Sequence, residues 1–271
     1  MMSPIMLRET SRAKESPMNL FDLKGKVAVI TGGNGGIGLG MAQGIASCGA
    51  SIVIAGRDRD KATTALKTLR DMGADASFIV ADVTKKTDCM ALIVEAVAKH
   101  GHVDILVNNA GTSVRKMPQD LSEDEWHHVL DTNLTSAFFC SQAAYPEMVK
   151  AGGGKMINIG SMMSLFGAPY ATAYASSKGG IVQMSRAMAT AWAKDNIQVN
   201  AVLPGWIDTD LTKRARQQVQ GLQDSVEKRT PHGRWGTARD MAGVAAFLAS
   251  SASDFVTGTA IPVDGGFSIA M

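Results

Sequence analysis

From residue 26 to residue 263, short runs rich in Val, Ile and Ala alternate with longer segments of helical period. A short β-branched run bounded by turn residues reads as a buried strand. The runs at 26–31, 51–55, 77–81, 103–107, 155–160, 197–203 and 260–263 are the expected strands. Helices are expected from the first turn to about residue 48, at 59–72, 85–100 and 122–150, from 174 to about 194, and at 238–250. Gly73 is a stop signal, and Ser122 with Glu125 offers a capping box. Strands that alternate with helices pair in parallel through crossovers, and the helices cover both faces. The pattern predicts an α/β fold with a doubly wound parallel sheet.

No linker, repeat or low-complexity tract divides the chain, so one domain is expected over 18–271. Within it, the polar stretch at about 208–236 is expected to be a mobile lobe on the substrate side. Residues 1–17 hold Arg8, Glu9, Arg12, Lys14 and Glu15 and no apolar signal-peptide core. They read as a disordered extension or as the product of an early start codon.

The turn after the first run is Gly32-Gly33-Asn34-Gly35-Gly36-Ile37-Gly38. Glycines permit a tight turn and close backbone approach to a pyrophosphate. The helix that follows presents free N–H groups and a positive dipole end. Gly32, Asn34, Gly36, Ile37 and Gly38 are therefore the expected phosphate-turn residues, although their spacing departs from the G-x-G-x-x-G of many dinucleotide folds. The second run ends in Gly56-Arg57-Asp58, where the adenine ribose is read. Arg57 suits a 2′-phosphate and favours NADP(H) over NAD(H); Asp58, one residue on, opposes it. Asp82 and Val83 follow the third run, where Asp82 is placed to accept from the adenine amino group. Asn109, Ala110 and Gly111 close the fourth run at the reversal point of a doubly wound sheet, and small residues there let a cofactor ring approach the backbone.

Charge and cysteine usage narrow the partners. The net charge of +2, without a dense Lys/Arg block, gives no support to nucleic-acid or membrane-surface binding. There is no apolar run long enough to span a bilayer. Cys48, Cys89 and Cys140 lie far apart, with no zinc spacing and no disulfide framework, which reads as buried packing in a reducing cytoplasm. His127 and His128 are adjacent and diverge around a helix, so no metal site is expected.

Tyr174 and Lys178 stand four apart on an expected helix and share one face. A free phenol titrates near ~10, and an ammonium beside it favours the phenolate, so proton exchange closer to neutral pH is expected. The spacing alone is common. Ser161, after the fifth run, and the glycine turn supply its context, whereas Tyr170 has no Lys four residues on.

Together, Thr31 with the glycine turn, Asp82, Asn108-Asn109-Ala110-Gly111, Asn133, Ser161, Tyr174-x-x-x-Lys178 and Pro204-Gly205 with Thr209 resemble a short-chain dehydrogenase/reductase over about residues 20–271. The resemblance implies a Rossmann-type fold with Tyr174 as general acid/base. It makes Lys178 the group that lowers the tyrosine pKa and binds the nicotinamide ribose. Ser161 then bonds the substrate oxygen, and Asn133 holds a water that links Lys178 to solvent. Pro204, Gly205 and Thr209 would border the cofactor. A homotetramer is also implied, with the helices at 122–150 and 174–194 packed across one interface.

The segments Ser113-Val114-Arg115-Lys116, Phe138–Gln142, Gly160–Ser164 and Gly233-Arg234-Trp235-Gly236 are similar to the gluconate 5-dehydrogenase, deoxygluconate dehydrogenase and glucose dehydrogenase branches. That similarity implies a small-molecule carbonyl or alcohol substrate, a sugar acid or polyol. Arg115 lies near the expected mouth, where it would attract a carboxylate. Met162, Met163 and Trp206 are expected pocket lining, with packing an equal alternative. A 3-oxoacyl thioester reductase is the close alternative; it favours a basic patch for its carrier protein, and Lys213, Arg214 and Arg216 are the candidates. A cofactor-binding redox sensor without turnover is the remote one, and the intact Asn133, Ser161, Tyr174 and Lys178 argue against it.

Overall fold

The computed structural model describes residues 19–270, so the expected extension at 1–17 lies outside the described residues. The strands are β1 (Val27–Thr31), β2 (Ser51–Gly56), β3 (Ala76–Val80), β4 (Ile105–Asn108), β5 (Gly154–Ile159), β6 (Ile197–Pro204) and β7 (Ala260–Val263). They form one sheet in the order β3-β2-β1-β4-β5-β6-β7, and every pairing is parallel. The chain winds outward from β1 in one direction and from β4 in the other. Thr31 lies opposite Asn108 at this reversal, where the crevice of such a sheet opens.

The α-helices are α1 (Gly36–Ser47), α2 (Arg59–Asp71), α3 (Lys86–His100), α4 (Glu123–Leu130), α5 (Ser136–Lys150), α6 (Thr172–Trp192), α7 (Asp210–Gln218), α8 (Leu222–Arg229) and α9 (Ala242–Ala249). Alternate strand residues serve opposite faces. In β1, Ala28 and Ile30 pack with Met41 and Ile45 of α1 and Leu248 of α9. Val27 and Val29 pack with Leu92 of α3 and Cys140 and Met148 of α5. Both faces are covered, which is why β1 reads as an unbroken apolar run.

One expectation is corrected. The single helix at 122–150 is interrupted: a π-helical segment, Asp131–Thr135, separates α4 from α5. The wider turn adds backbone without changing the local hydrophobic pattern, so helical periodicity did not reveal it. It carries Asn133, whose amide is bonded to the backbone of Thr112 and to Ser177. The stretch at 208–236 holds α7 and α8 over a small core of Ala215, Leu222, Val226 and Trp235. Trp206 meets Trp235 edge-on, with ring centroids 5.4 Å apart. Among the described residues no helix is long and apolar enough to cross a membrane.

Candidate active site

A cavity of about 750 Å³ opens at the C-terminal ends of the central strands. Its floor is the turn between β1 and α1. Gly32 takes φ +63°, a conformation natural only to glycine, and a Cβ there would lie 2.9 Å from Asn109 Nδ2. Asn109 donates that amide to Thr31 O and Gly32 O, both at 3.0 Å. The Thr31 hydroxyl in turn accepts from the N–H groups of Asn109 and Ala110. These bonds lace β1 to β4 across the reversal and shape the turn. Gly32, Asn34, Gly36 and Ile37 line the cavity. Gly38, expected with them, is instead behind the turn: a Cβ there would lie 2.4 Å from Asn109 Nδ2 and 2.5 Å from Gly32 O. Its smallness serves packing of α1 on the turn.

α1 begins with no side-chain cap and no acidic residue in its first turn, and open space surrounds Gly35. Free N–H groups at a helix start, reinforced by the dipole, fit an anion. On this observation the residues present fit a dinucleotide pyrophosphate. At the adenosine end, Arg57 lines the cavity and forms no ion pair among the described residues. Asp58, expected to oppose a phosphate, is committed elsewhere: its carboxylate caps α2 and accepts from Asp60 N–H and Lys61 N–H.

Asp82 and Val83 line the same end. One Asp82 oxygen already accepts from the Thr84 N–H and hydroxyl at 3.2 and 2.8 Å. Burial pushes the Asp82 carboxyl up, but the Thr84 bonds and the Arg57 charge together hold it below its ordinary value. Asn109, Ala110, Gly111, Pro204, Gly205 and Thr209 complete the walls. Thr209 also caps α7 through Thr212 N–H.

Ser161, Tyr174 and Lys178 reach this cavity from the end of β5 and the start of α6. Ser164 joins the two: its hydroxyl accepts from Ser161 N–H at 3.2 Å and donates to Lys178 O at 2.7 Å. Lys178 is 4 % exposed; its ammonium donates to Ile159 O at 2.7 Å and stands 5.7 Å from the Tyr174 ring centroid. Burial brings the Lys178 amine down to about 8. Burial also pushes the Tyr174 phenol up, while the Ser161 hydroxyl and the Arg115 guanidinium act in the opposite direction. Lys178 is not among the groups that set this direction. Burial disfavours the charged form of both groups.

Asn133 is 2 % exposed and lies outside the cavity wall. Its Oδ1 accepts from Thr112 N–H at 2.7 Å, and its Nδ2 donates to Thr112 O and Ser177 Oγ, both at 3.0 Å. It thus pins the segment after β4 to α6, beside Gly111. The expected substrate residues do not line the cavity. Arg115 is half-buried, bonds Gln218 Oε1 through Nη1 at 3.2 Å, and is held below its ordinary pKa by burial. Met162 is core, packed with Val182, Leu203 and Phe267; Met163 and Trp206 lean on that cluster. The apolar pocket pattern and the apolar packing pattern are the same in sequence, and here packing accounts for Met162.

Several wall residues were not among those expected at the cavity: Lys61, His128, Thr132, Asp210 and Arg214. Lys61 stands four residues after Arg57, a spacing that was legible. Asp210 and Arg214 come from α7, and nothing local announces that this helix reaches over the cofactor end.

Comparison with known proteins agrees with this geometry. The chain matches the family described as Enoyl-(Acyl carrier protein) reductase over residues 32–268. The 2-dehydro-3-deoxy-D-gluconate 5-dehydrogenase of Escherichia coli (strain K12) is 43% identical over 251 residues, spanning 92% of this chain and 98% of that protein. A gluconate 5-dehydrogenase from Burkholderia cenocepacia J2315, solved in complex with NADP and tartrate, is 41% identical with a TM-score of 0.88, covering 93% of this chain and 99% of that one. The 3-oxoacyl-[acyl-carrier-protein] reductase of Chlamydia muridarum (strain MoPn / Nigg) is 39% identical over 249 residues, spanning 90% of this chain and 98% of that protein.

Proposed function

The chain belongs to the short-chain dehydrogenase/reductase family, and we propose that it transfers a hydride between NADP(H) and a secondary alcohol or ketone of a sugar acid. The observation that carries this reading is that Ser161, Tyr174 and Lys178 share one cavity with the glycine turn. The gluconate and deoxygluconate dehydrogenases among its relatives support the substrate class.

When bound, the cofactor supplies or accepts the hydride. The chain holds, orients and moves protons. The α1 N-terminus and the glycine turn seat the pyrophosphate. The Tyr174 phenol gives its proton to the carbonyl oxygen during reduction. The Ser161 hydroxyl donates to the same oxygen as negative charge builds on it. Lys178 keeps a positive charge beside the ring as the phenol becomes a phenolate. Asn133 holds the Thr112 backbone against α6, so the wall beside Lys178 stays in place. During oxidation Tyr174 takes the proton instead.

The pH dependence follows from Lys178. Burial lowers its pKa, so the charge is present below about 8 and is lost as pH rises through that value. Ketone reduction is therefore expected to be level near neutral pH and to fall above about pH 8. A kcat/KM profile that stays level well past that point contradicts the role given to the ammonium.

NADP(H) preference rests on Arg57, which forms no ion pair among the described residues, and on the capping role that engages Asp58. Arg57→Ala is expected to raise the KM for NADPH by about 10–100-fold, the worth of a charge-assisted bond, and to leave KM for NADH within about twofold. Equal losses with both cofactors would assign Arg57 a structural role.

The 3-oxoacyl thioester reading has one of its three candidate cations engaged elsewhere and the other two at the cavity rim. Arg216 pairs with Asp208 and stacks on Trp235 at 4.5 Å, and Lys213 and Arg214 line the cofactor cavity. The test is the absorbance of reduced cofactor with NADPH or NADH and a panel of keto sugar acids, ketoses and acetoacetyl thioesters. Oxidation of NADPH by a keto sugar acid is the expected result; turnover with the thioester alone overturns the substrate assignment. The same reading makes the protein a cytoplasmic homotetramer, and light scattering from a monomer at micromolar concentration would contradict that assembly.

A further inference from the structure

Lys61 of α2 and Asp210 of α7 meet across the adenosine end of the cavity, Nζ to Oδ2 at 2.6 Å. Their side chains are 54% and 66% exposed. An exposed pair contributes little to stability, so folding alone gives weak reason for the contact. Both residues line the cavity with Arg57 and Arg214. The Asp210 carboxylate, through its hydrogen bond first, holds the Lys61 ammonium above its ordinary pKa, while Arg214 pushes the other way. Asp210 is held below its own ordinary value by Lys61 first, with Lys213 and Arg214 adding to the effect. Several cations thus surround one carboxylate, and Asp58, which also lines the cavity, is committed to capping α2.

We propose that Lys61 and Arg214 join Arg57 in reading the 2′-phosphate of the cofactor, and that Asp210 is a built-in stand-in which that phosphate displaces. This inference rests on the NADP(H) reading above and extends it to residues of α2 and of the lobe. A phosphate monoester carries about −1.5 to −2 charges and three strong acceptor oxygens. It therefore offers the cations more than a single carboxylate does. Lysine is a point charge on a flexible stem and can turn from one anion to the other. A bare ribose 2′-hydroxyl has no charge with which to displace Asp210, so Lys61 stays paired and contributes nothing to NAD(H). Discrimination then has two parts: attraction of the phosphate by three cations, and a carboxylate that only a stronger anion moves.

The test uses the whole chain and two small probes, adenosine 2′,5′-bisphosphate and adenosine 5′-monophosphate, which differ only in the 2′-phosphate. Binding is read by titration calorimetry, without turnover. Lys61→Ala and Arg214→Ala are each expected to weaken the bisphosphate by about 10-fold and to leave the monophosphate unchanged. Asp210→Asn is expected to tighten the bisphosphate several-fold and not the monophosphate. These side chains are exposed or at the cavity wall, and circular dichroism checks that each variant is folded. If Asp210→Asn weakens both probes alike, the pair is a structural strap and the proposal fails. It fails equally if Lys61→Ala and Arg214→Ala leave the bisphosphate unchanged. A wild-type chain that binds both probes equally would overturn the NADP(H) reading itself. A wild-type preference abolished by Arg57→Ala alone would keep that reading and remove only the present extension.

Discussion

Tyr174→Phe is expected to lower kcat by about 10²–10⁴-fold in both directions, the usual worth of a positioned general acid/base, with cofactor affinity within about twofold of wild type. The substitution removes one hydroxyl and keeps the ring. The ring's packing near Lys178, 5.7 Å from ammonium to centroid, survives, as does the bond from Lys178 to Ile159 O. The hydroxyl of Tyr174 takes no part in the hydrogen bonds that shape the glycine turn or pin Asn133. Loss of turnover without loss of binding therefore isolates proton transfer from scaffold. Single-turnover kinetics and calorimetry with the oxidised cofactor are the measurements. A variant that turns over normally would remove Tyr174 from the chemistry.

Ser161→Ala is the second large effect, about 10²–10³-fold in kcat, the scale measured for removal of one donor to a developing oxyanion. Here a structural contribution has to be separated. The Ser161 hydroxyl also accepts from Met163 N–H at 3.1 Å and so caps the short turn that follows β5. Loss of a cap costs about 1 kcal/mol, which is visible as a modest fall in Tm. The loop has a second anchor in Ser164, which ties Ser161 N–H to Lys178 O, so the backbone position is retained without the Ser161 hydroxyl. A fall in kcat far beyond the stability change marks the hydroxyl as a donor to substrate. Parallel small losses in kcat and Tm would mark it as a cap alone. Ser161→Thr, which restores a hydroxyl, is expected to recover part of the rate.

The sheet was legible because each central strand is buried on both faces and reads as an unbroken apolar run; β1 is buried throughout its length. The reversal between β1 and β4 was legible from the pairing of the glycine turn with Asn108-Asn109-Ala110-Gly111. Other features depend on contacts that no local pattern carries. The π segment at Asp131–Thr135 changes helical phase by local geometry alone, while its neighbours keep helical composition. Asn109 reads as a cofactor residue and does line the cavity, and its amide is also spent on Thr31 O and Gly32 O, so it shapes the turn as well. Asp58 reads as an opponent of phosphate until the start of α2 claims its carboxylate. In the cases of Asn109 and Asp58 a side chain with an obvious chemical use is claimed by backbone groups, which are costly to leave unpaired. The phenol of Tyr174 shows the same limit electrostatically: spacing reveals the cation beside it, and burial, which spacing does not report, decides the direction of the shift.

The most direct measurement follows the hydride. NADPH carrying deuterium on one face of the nicotinamide C4 is mixed with the chain and a keto sugar acid, and the product is examined by mass spectrometry and NMR. One deuterium on the former carbonyl carbon is expected from one of the two labelled faces, and none from the other. With Tyr174→Phe the same product should form, if at all, more slowly by the factor given above. Product without deuterium from either face, or no product from a chain that binds NADPH, would contradict hydride transfer to a sugar-acid carbonyl at this site.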